Sequence, residues 1–300
     1  MVDDKLNMKR VERIVRFTLK EDIWTGDITS ESVLDDSLEI DAVVLAKQSG
    51  VICGVEVAER TFSVVDPELR FRPLVKDGDH VQPGKELAFI EGKARSILSA
   101  ERVALNFLGH LSGIATRTRQ MVDAVQGTGV KIYDTRKTMP LHRYMQKYAV
   151  RIGGGCNHRL GLWDMVLIKD NHLRAYAMQT KSKNNENIIK HIIRQARDSV
   201  QKNIRVEIEV ETVAECGYAL SEKPDVIMLD NMSPGAVKKA MDLRKDAGLE
   251  DKVLFEVSGG ITPDNVREYA ETGIDMISSG SLTGSAGFLD LSLEIVLRHG

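Results

Sequence analysis

Cysteine is scarce in this chain. Three residues among 300, Cys53, Cys156 and Cys216, stand far apart and form no C-x-x-C pair. That excludes a disulfide framework or a cysteine zinc site as the organising feature and fits a reducing cytosol. Cys53 and Cys216 read as buried, inert thiols. Long apolar runs are also missing, and none approaches the length that crosses a bilayer. The opening stretch MVDDKLNMKRVER has no apolar h-region, so a secretory signal is not expected. Nor is there an excess of positive charge. The formal net charge is −3, which argues against a nucleic-acid binder resting on a broad basic surface. No tandem repeat or low-complexity tract is evident.

What is present is the composition of an ordinary globular protein, 42% apolar and 28% charged. The length suits one large domain or two modest ones. Against the slightly acidic whole, one segment stands out. Residues 134–172 read DTRKTMPLHRYMQKYAVRIGGGCNHRLGLWDMVLIKDNH. Arg136, Lys137, Arg143, Lys147, Arg151, His158, Arg159, Lys169 and His172 face only Asp134, Asp164 and Asp170 as acids there. Crowding like charges adds nothing to stability, so the segment reads as a pocket for a small polyanion. A solvated basic helix face is the plainer alternative. It fits less well, because apolar strand-like runs at 150–152 and 165–168 interrupt the charges.

The first third has an α+β rhythm. Val11, Ile14, Val15 and Leu19 have helical spacing, and 21–31 reads as a polar turn region. Strand-like runs follow at 40–46, 51–54, 69–75 and 87–90, then a long helical pattern at 97–121. From about Lys131 short buried strands alternate with helices, at 131–133, 149–152, 165–168, 206–210, 226–229, 253–257 and 276–278. Thr212 to Glu215 forms a capping box, and Ser233-Pro234 and Thr262-Pro263 mark helix starts. Gly248 and Gly273 are suited to helix stops. The stretch 179–187 reads as an exposed loop or helix start, and 289–297 as a final helix. Repeated β-then-α units predict a parallel sheet with right-handed crossovers, most economically a barrel. Seven strands are one short of a closed barrel, so an open doubly wound sheet remains an alternative.

Reactive groups of a parallel barrel gather at the carboxyl ends of its strands. Here almost every candidate strand ends in a polar cluster. The clusters are Asp134-Thr135-Arg136-Lys137, Asn157-His158-Arg159, Lys169-Asp170-Asn171-His172, Asp230-Asn231, Ser258-Gly259-Gly260 and Ser279-Gly280-Ser281. In VEIEVE, Val206, Ile208 and Val210 share one face and Glu207, Glu209 and Glu211 the other. A parallel strand is normally apolar on both faces, so the glutamates are expected to face the lumen and to need cations or metal. An edge strand with its glutamates in water is the alternative. The two glycine–serine turns let main-chain N–H groups approach phosphate oxygens. These features alone point to a barrel enzyme acting on a phosphorylated sugar and a carboxylate-bearing partner, with Mg²⁺.

Taken together, DTRKT, GGG-x-NHR, GL-x-D-x-x-LIKDNH, VEIEVE, DVIMLDN and VSGGI-x-x-x-N resemble the quinolinate phosphoribosyltransferases. So do EDI-x-x-GDIT at 21–29 and SAER-x-x-LNFLGHLSGIAT at 99–116, and the resemblance covers nearly the whole chain. It implies an enzyme joining quinolinate to 5-phosphoribosyl 1-pyrophosphate with Mg²⁺, giving nicotinate mononucleotide, pyrophosphate and CO₂. It implies a fold with an N-terminal open-faced α/β sandwich over 1–115, rejoined by a C-terminal helix at 287–300, and an incomplete parallel α/β barrel over 116–286. It also implies a cytoplasmic homodimer with shared active sites, a higher oligomer being left open, in which Arg102 crosses the interface. Arg136, Lys137, His158, Arg159 and Lys169 match the family's acid-binding and phosphoribosyl-binding cations. Glu209 and Asp230 match its carboxylates near ribose and metal, directly or through water. Ser258, Gly259, Gly260, Gly280 and Ser281 match its phosphate-binding turns. Lys137, Lys169, Glu209 and Asp230 are the expected catalytic set.

The chain departs from the family pattern in places. Leu141 stands where glycine is common, His142 follows it, and Cys156 takes a place where arginine is frequent. The segment after His172 is longer than usual. The paired-acid loop of the commoner phosphoribosyltransferases is absent, so the donor site is expected to be of the barrel type. Competing readings are a Schiff-base aldolase using Lys169 and a related pyrophosphorylase-like barrel acting on another carboxylated base. A carrier hairpin around Gly78-Asp79-His80-Val81 is a further one, but it lacks a lysine in a modification turn.

Overall fold

The computed structural model describes residues 5–296. The chain runs α1 (Met8–Ile23), α2 (Ile28–Val33), β1 (Glu39–Ala46), β2 (Gly50–Val51), α3 (Val55–Val65), β3 (Arg70–Pro73), β4 (His80–Val81), β5 (Glu86–Lys93) and α4 (Ala94–Ala124). Then come β6 (Lys131–Tyr133), α5 (Arg143–Ile152), β7 (Val166–Ile168), α6 (Asp170–Thr180), α7 (Asn185–Ser199) and β8 (Val206–Val210). It closes with α8 (Val213–Leu220), β9 (Val226–Asp230), α9 (Pro234–Asp246), β10 (Leu254–Ser258), α10 (Val266–Ala270), β11 (Met276–Ser278), α11 (Ser281–Gly284) and β12 (Leu291–Val296). Two compact units result. One comprises Met1–Arg119, Thr138–Gly154 and Leu282–Gly300, the other Gln120–Lys137 and Gly155–Ser281, each counted over its described residues.

The first unit is the open-faced sandwich. Its antiparallel sheet has the order β12-β1-β5-β3. Alternation in β1 sends Ala42, Val44 and Ala46 inward, where they pack with Ile97, Ala100, Ala104 and Leu108 of α4 and with Phe62 of α3. Three expectations fail here. The described part of the stretch 289–297, expected as a helix, holds the strand β12 instead. In LSLEIV, Leu291, Leu293 and Ile295 alternate with Ser292, Glu294 and Val296. They pair with Ala46, Val44 and Ala42, so the apolar sides of the two strands match. The strand expected at 149–152 is the last turn of α5. Tyr144, Met145, Tyr148, Ala149 and Ile152 do recur at helical spacing, but the tail Tyr148-Ala149-Val150 read alone mimics a short strand. Polar contacts hold α5 in this unit: Gln146 Nε2 lies 2.7 Å from His110 Nε2, and Tyr148 donates to Asp77 at 2.9 Å. The stretch 21–31, read as a turn, carries the end of α1 and the start of α2, which Asp27 caps.

Leu141 lies in the loop leading to α5 with φ +63°, the left-handed region that glycine enters without penalty. Its side chain is 78% exposed, so packing does not offset the strain. Leu141→Gly is therefore expected to raise stability by about 0.5–1 kcal/mol, the strain relief less the added freedom of the unfolded chain. A shift of the urea midpoint to higher concentration at constant slope is the confirming result; a fall in midpoint contradicts it.

The second unit carries a six-stranded, all-parallel sheet in the order β6-β11-β10-β9-β8-β7. Helices connect its strands in the β-then-α rhythm. The place of the misassigned strand is taken by Cys156 alone, which bridges Tyr133 in parallel. Its N–H donates to Ile132 at 2.7 Å and its carbonyl accepts from Asp134 at 3.1 Å. The result is an incomplete parallel barrel. Thr212 and Ser233 cap α8 and α9 as expected. The start marked by Thr262-Pro263 lies further on, at Asn265, because Thr262 folds back to donate its N–H to Asn265 Oδ1 at 2.8 Å.

Candidate active site

β8 is an interior strand, buried along its whole length, so its glutamates are not at a wet edge. Glu207 is 0% and Glu209 8% exposed, while Glu211, past the strand end, is exposed. Lys169 Nζ, at the end of β7, forms an ion pair with Glu209 across to the neighbouring strand. The Lys169 backbone N–H donates to His172 Nδ1 at 2.9 Å, fixing the start of α6.

Glu207 meets a second acid that the sequence reading overlooked. Glu256, in the middle of β10, is fully buried. Both carboxylates converge on His158, whose Nε2 lies 3.1 Å from Glu207 and 3.5 Å from Glu256. β8 and β10 flank β9, and in a flat sheet side chains two strands apart stand roughly 9–10 Å from one another. Concave curvature brings them to one point. The overlooked signal was an acid inside the otherwise apolar run LFEV. Burial, then the Glu256 charge, pushes the Glu207 carboxyl above its ordinary range. For His158, burial opposes the charged ring, but the contacts to Glu207 and Glu256 outweigh it and push the imidazole up to about 10. The geometry is that of the neutral ring, in which Nδ1 accepts the Arg159 N–H at 2.8 Å and the proton sits on Nε2 between the acids; a second ring proton, which the acids favour, would displace the Nδ1 contact.

The loop bearing His158 hangs on Asp134. This acid is completely buried and accepts from the His158 N–H at 2.8 Å and from Asn157 Nδ2 at 2.7 Å. Its role is structural support, which a count of acids against bases did not reveal. Arg159 is buried, and its Nη1 donates to the Met165 carbonyl at 3.1 Å. Burial, then the neighbouring Arg136 charge, lowers its pKa. An anion between the two guanidiniums would relieve both effects.

The remaining clusters complete the rim. Asn231 follows Asp230 with φ +53°, and its side chain donates to Asp230 at 2.8 Å. Its backbone N–H donates to the Ser258 carbonyl at 2.9 Å, tying the β9 and β10 ends together. Gly259 has φ +95°, and a Cβ there would stand 2.2 Å from Asn231 Oδ1. Past β11, Ser279 and Ser281 hydroxyls lie 2.8 Å apart, and Lys137 packs over Gly280, where a Cβ would stand 2.8 Å from Lys137 Cδ. The structure thus joins Lys137 to Gly280, Lys169 to Glu209, and Asp230 to the Ser258–Gly260 turn within one unit. Arg102 is in the other unit, on α4, with an exposed side chain.

The donors at the β8 and β9 ends, Glu209 and Asp230, are both carboxylates, the oxygen ligands that Mg²⁺ prefers while it keeps several waters. A separate set of three candidate ligands, His158, Glu207 and Glu256, lies deeper in the barrel. Lys169 Nζ, the atom a Schiff-base aldolase would use, is engaged by the Glu209 carboxylate.

Comparison with known proteins agrees along nearly the whole chain. Residues 27–112 match the family description "Quinolinate phosphoribosyl transferase, N-terminal domain", and residues 114–294 its C-terminal counterpart. A protein of Methanothermobacter thermautotrophicus, named probable nicotinate-nucleotide pyrophosphorylase (carboxylating), is 39% identical over 287 residues, covering 94% of this chain and 98% of its own. The Nicotiana tabacum quinolinate phosphoribosyltransferase (decarboxylating) 1b is 39% identical, covering 94% and 81%. The solved structure of the Francisella tularensis nicotinate-nucleotide pyrophosphorylase superposes with a TM-score of 0.87 at 35% identity, covering 98% of each chain.

Proposed function

This chain belongs to the quinolinate phosphoribosyltransferase family, and from that premise we propose how its site performs the reaction. The enzyme transfers the phosphoribosyl group of 5-phosphoribosyl 1-pyrophosphate to the ring nitrogen of quinolinate. Loss of CO₂ then yields nicotinate mononucleotide, with pyrophosphate as the other product. The observation that carries this reading is the meeting of cations and carboxylates from separate strands of one barrel. Arg136, Lys137, Arg159 and Lys169 neutralise a diacid, the arginines as forks and the lysines as point charges. The turns at Ser258–Gly260 and Ser279–Ser281 offer main-chain N–H groups to phosphate.

As pyrophosphate leaves, positive charge develops at the anomeric carbon, and Glu209 and Asp230 face it. Nitrogen attack quaternises the pyridine ring, and the ring cation stabilises the carbanion left by CO₂ loss. No covalent enzyme intermediate is needed. Positioning, neutralisation and exclusion of water supply the rate. Glu209 and Asp230 would hold Mg²⁺, directly or through water, and the ion would supply charge neutralisation to the leaving pyrophosphate. The protein works in the cytoplasm as a homodimer, and each copy lends its exposed Arg102 to the other's site. Among the described residues no helix is long and apolar enough to cross a membrane.

The direct test is to supply quinolinate and 5-phosphoribosyl 1-pyrophosphate and to measure CO₂ and nicotinate mononucleotide. Equal release of both is expected, lost on chelation and restored by Mg²⁺. Mononucleotide formed without CO₂, or from another carboxylated base in preference, defeats the reading.

A further inference from the structure

Among the described residues, the group least accounted for by the chemistry above is the buried trio of His158, Glu207 and Glu256. Two carboxylates in a dry lumen cost several kcal/mol each in lost hydration, and an apolar core of the same shape is usually no less stable. Neither acid makes a hydrogen bond of ordinary geometry, so the imidazole is their nearest compensating group. The ring in turn is nearly sealed, with 6% of its side chain exposed. It offers little surface to a substrate.

The contacts run in series. Glu207 and Glu256 approach Nε2 from strands on either side of β9. That sets the ring's orientation and leaves Nδ1 to accept the Arg159 N–H at 2.8 Å. The His158 backbone is pinned by Asp134, and the Arg159 guanidinium reaches the Met165 carbonyl. These contacts link the barrel floor, through the ring, to the residue that bears that guanidinium. We propose that Glu256 and Glu207 are positioning residues, which act through the His158 ring to hold Arg159 where it clamps the diacid. The assignment rests on the functional reading above, in which Arg159 binds quinolinate.

Glu256→Gln is the first variant, since Glu256 lies in a different strand from Glu209. Removing a positioning residue for a ground-state contact raises KM for one substrate. A rise of roughly ten- to a hundredfold in KM for quinolinate is expected, the scale of one charge-assisted hydrogen bond. KM for 5-phosphoribosyl 1-pyrophosphate should stay near the parent value. In a His158→Gln background the same change should add little more, because both act through one ring. If Glu256→Gln does not fold, Glu207→Gln approaches the ring from the other side and takes the same measurements. An unchanged KM for quinolinate, equal rises for both substrates, or fully additive effects with His158→Gln overturns the proposal. A parent protein that does not turn over quinolinate refutes the functional reading itself, a separate outcome.

Discussion

Lys169→Ala is expected to lower turnover by roughly 10²–10³, the scale of losing one preorganised electrostatic donor. Two losses combine. The diacid loses a cation at the mouth of the barrel, and Glu209, which is 8% exposed, loses its ion-pair partner. An uncompensated carboxylate beside the diacid repels it. Lys169 is itself 43% exposed, so the stability cost is smaller than for a fully buried pair. Lys137→Ala should reduce turnover on the same scale. Lys137 lies over Gly280, so the stem of its side chain packs on the backbone just past the end of β11. Initial rates with both substrates saturating, together with thermal unfolding, separate chemistry from folding. Near-normal turnover in both alanine variants would exclude these lysines from the reaction.

Gly259→Ala should have the largest effect of any single methyl added to the rim. The new Cβ would meet Asn231 Oδ1 at 2.2 Å and the Asn231 backbone nitrogen at 3.0 Å, in a conformation, φ +95°, that alanine rarely adopts. Asn231 has little freedom to retreat. It is itself strained at φ +53° and bonded to Asp230 and to the Ser258 carbonyl. The β9 and β10 ends must separate, at a cost of about 1–3 kcal/mol, and the phosphate turn opens. Tenfold or more should be added to KM for 5-phosphoribosyl 1-pyrophosphate, roughly 1.4 kcal/mol of lost binding. Gly260→Ala is the control. Its φ is also positive, +63°, but nothing stands within 4 Å of the new Cβ. It should cost about 1 kcal/mol of stability and leave the phosphate turn closed. If the two variants have equal KM values, the steric argument fails.

The strand ends of the second unit were readable because each is a local event. A short apolar run followed by glycine, serine or a charged cluster marks a strand leaving a parallel sheet, whatever lies around it. Hence Lys137, Lys169, Glu209, Asp230 and Ser258 could all be named from the chain alone. The errors came where period and length were ambiguous. α5 carries apolar residues at helical spacing, but its tail, a short apolar run when read alone, passed for a strand. β12 has a period of two, but it is short and stands near the chain end, where a helical reading of its leucines is equally easy. Pairing with β1, more than two hundred residues away in sequence, decides the matter.

The order of strands and helices, the family resemblance and the polar rim of the barrel follow from residue type and spacing, because propensity, capping and alternation act over a few residues. The meeting of Glu207 and Glu256 at His158 does not. It depends on the curl of the sheet across β8, β9 and β10 and on a loop hung from Asp134, and electrostatic cost is set by distance and burial, neither of which a linear pattern contains. For the same reason Leu141 is an ordinary exposed residue in the sequence and a strained one in the fold, since the sign of φ is imposed by the ends of the loop it must join.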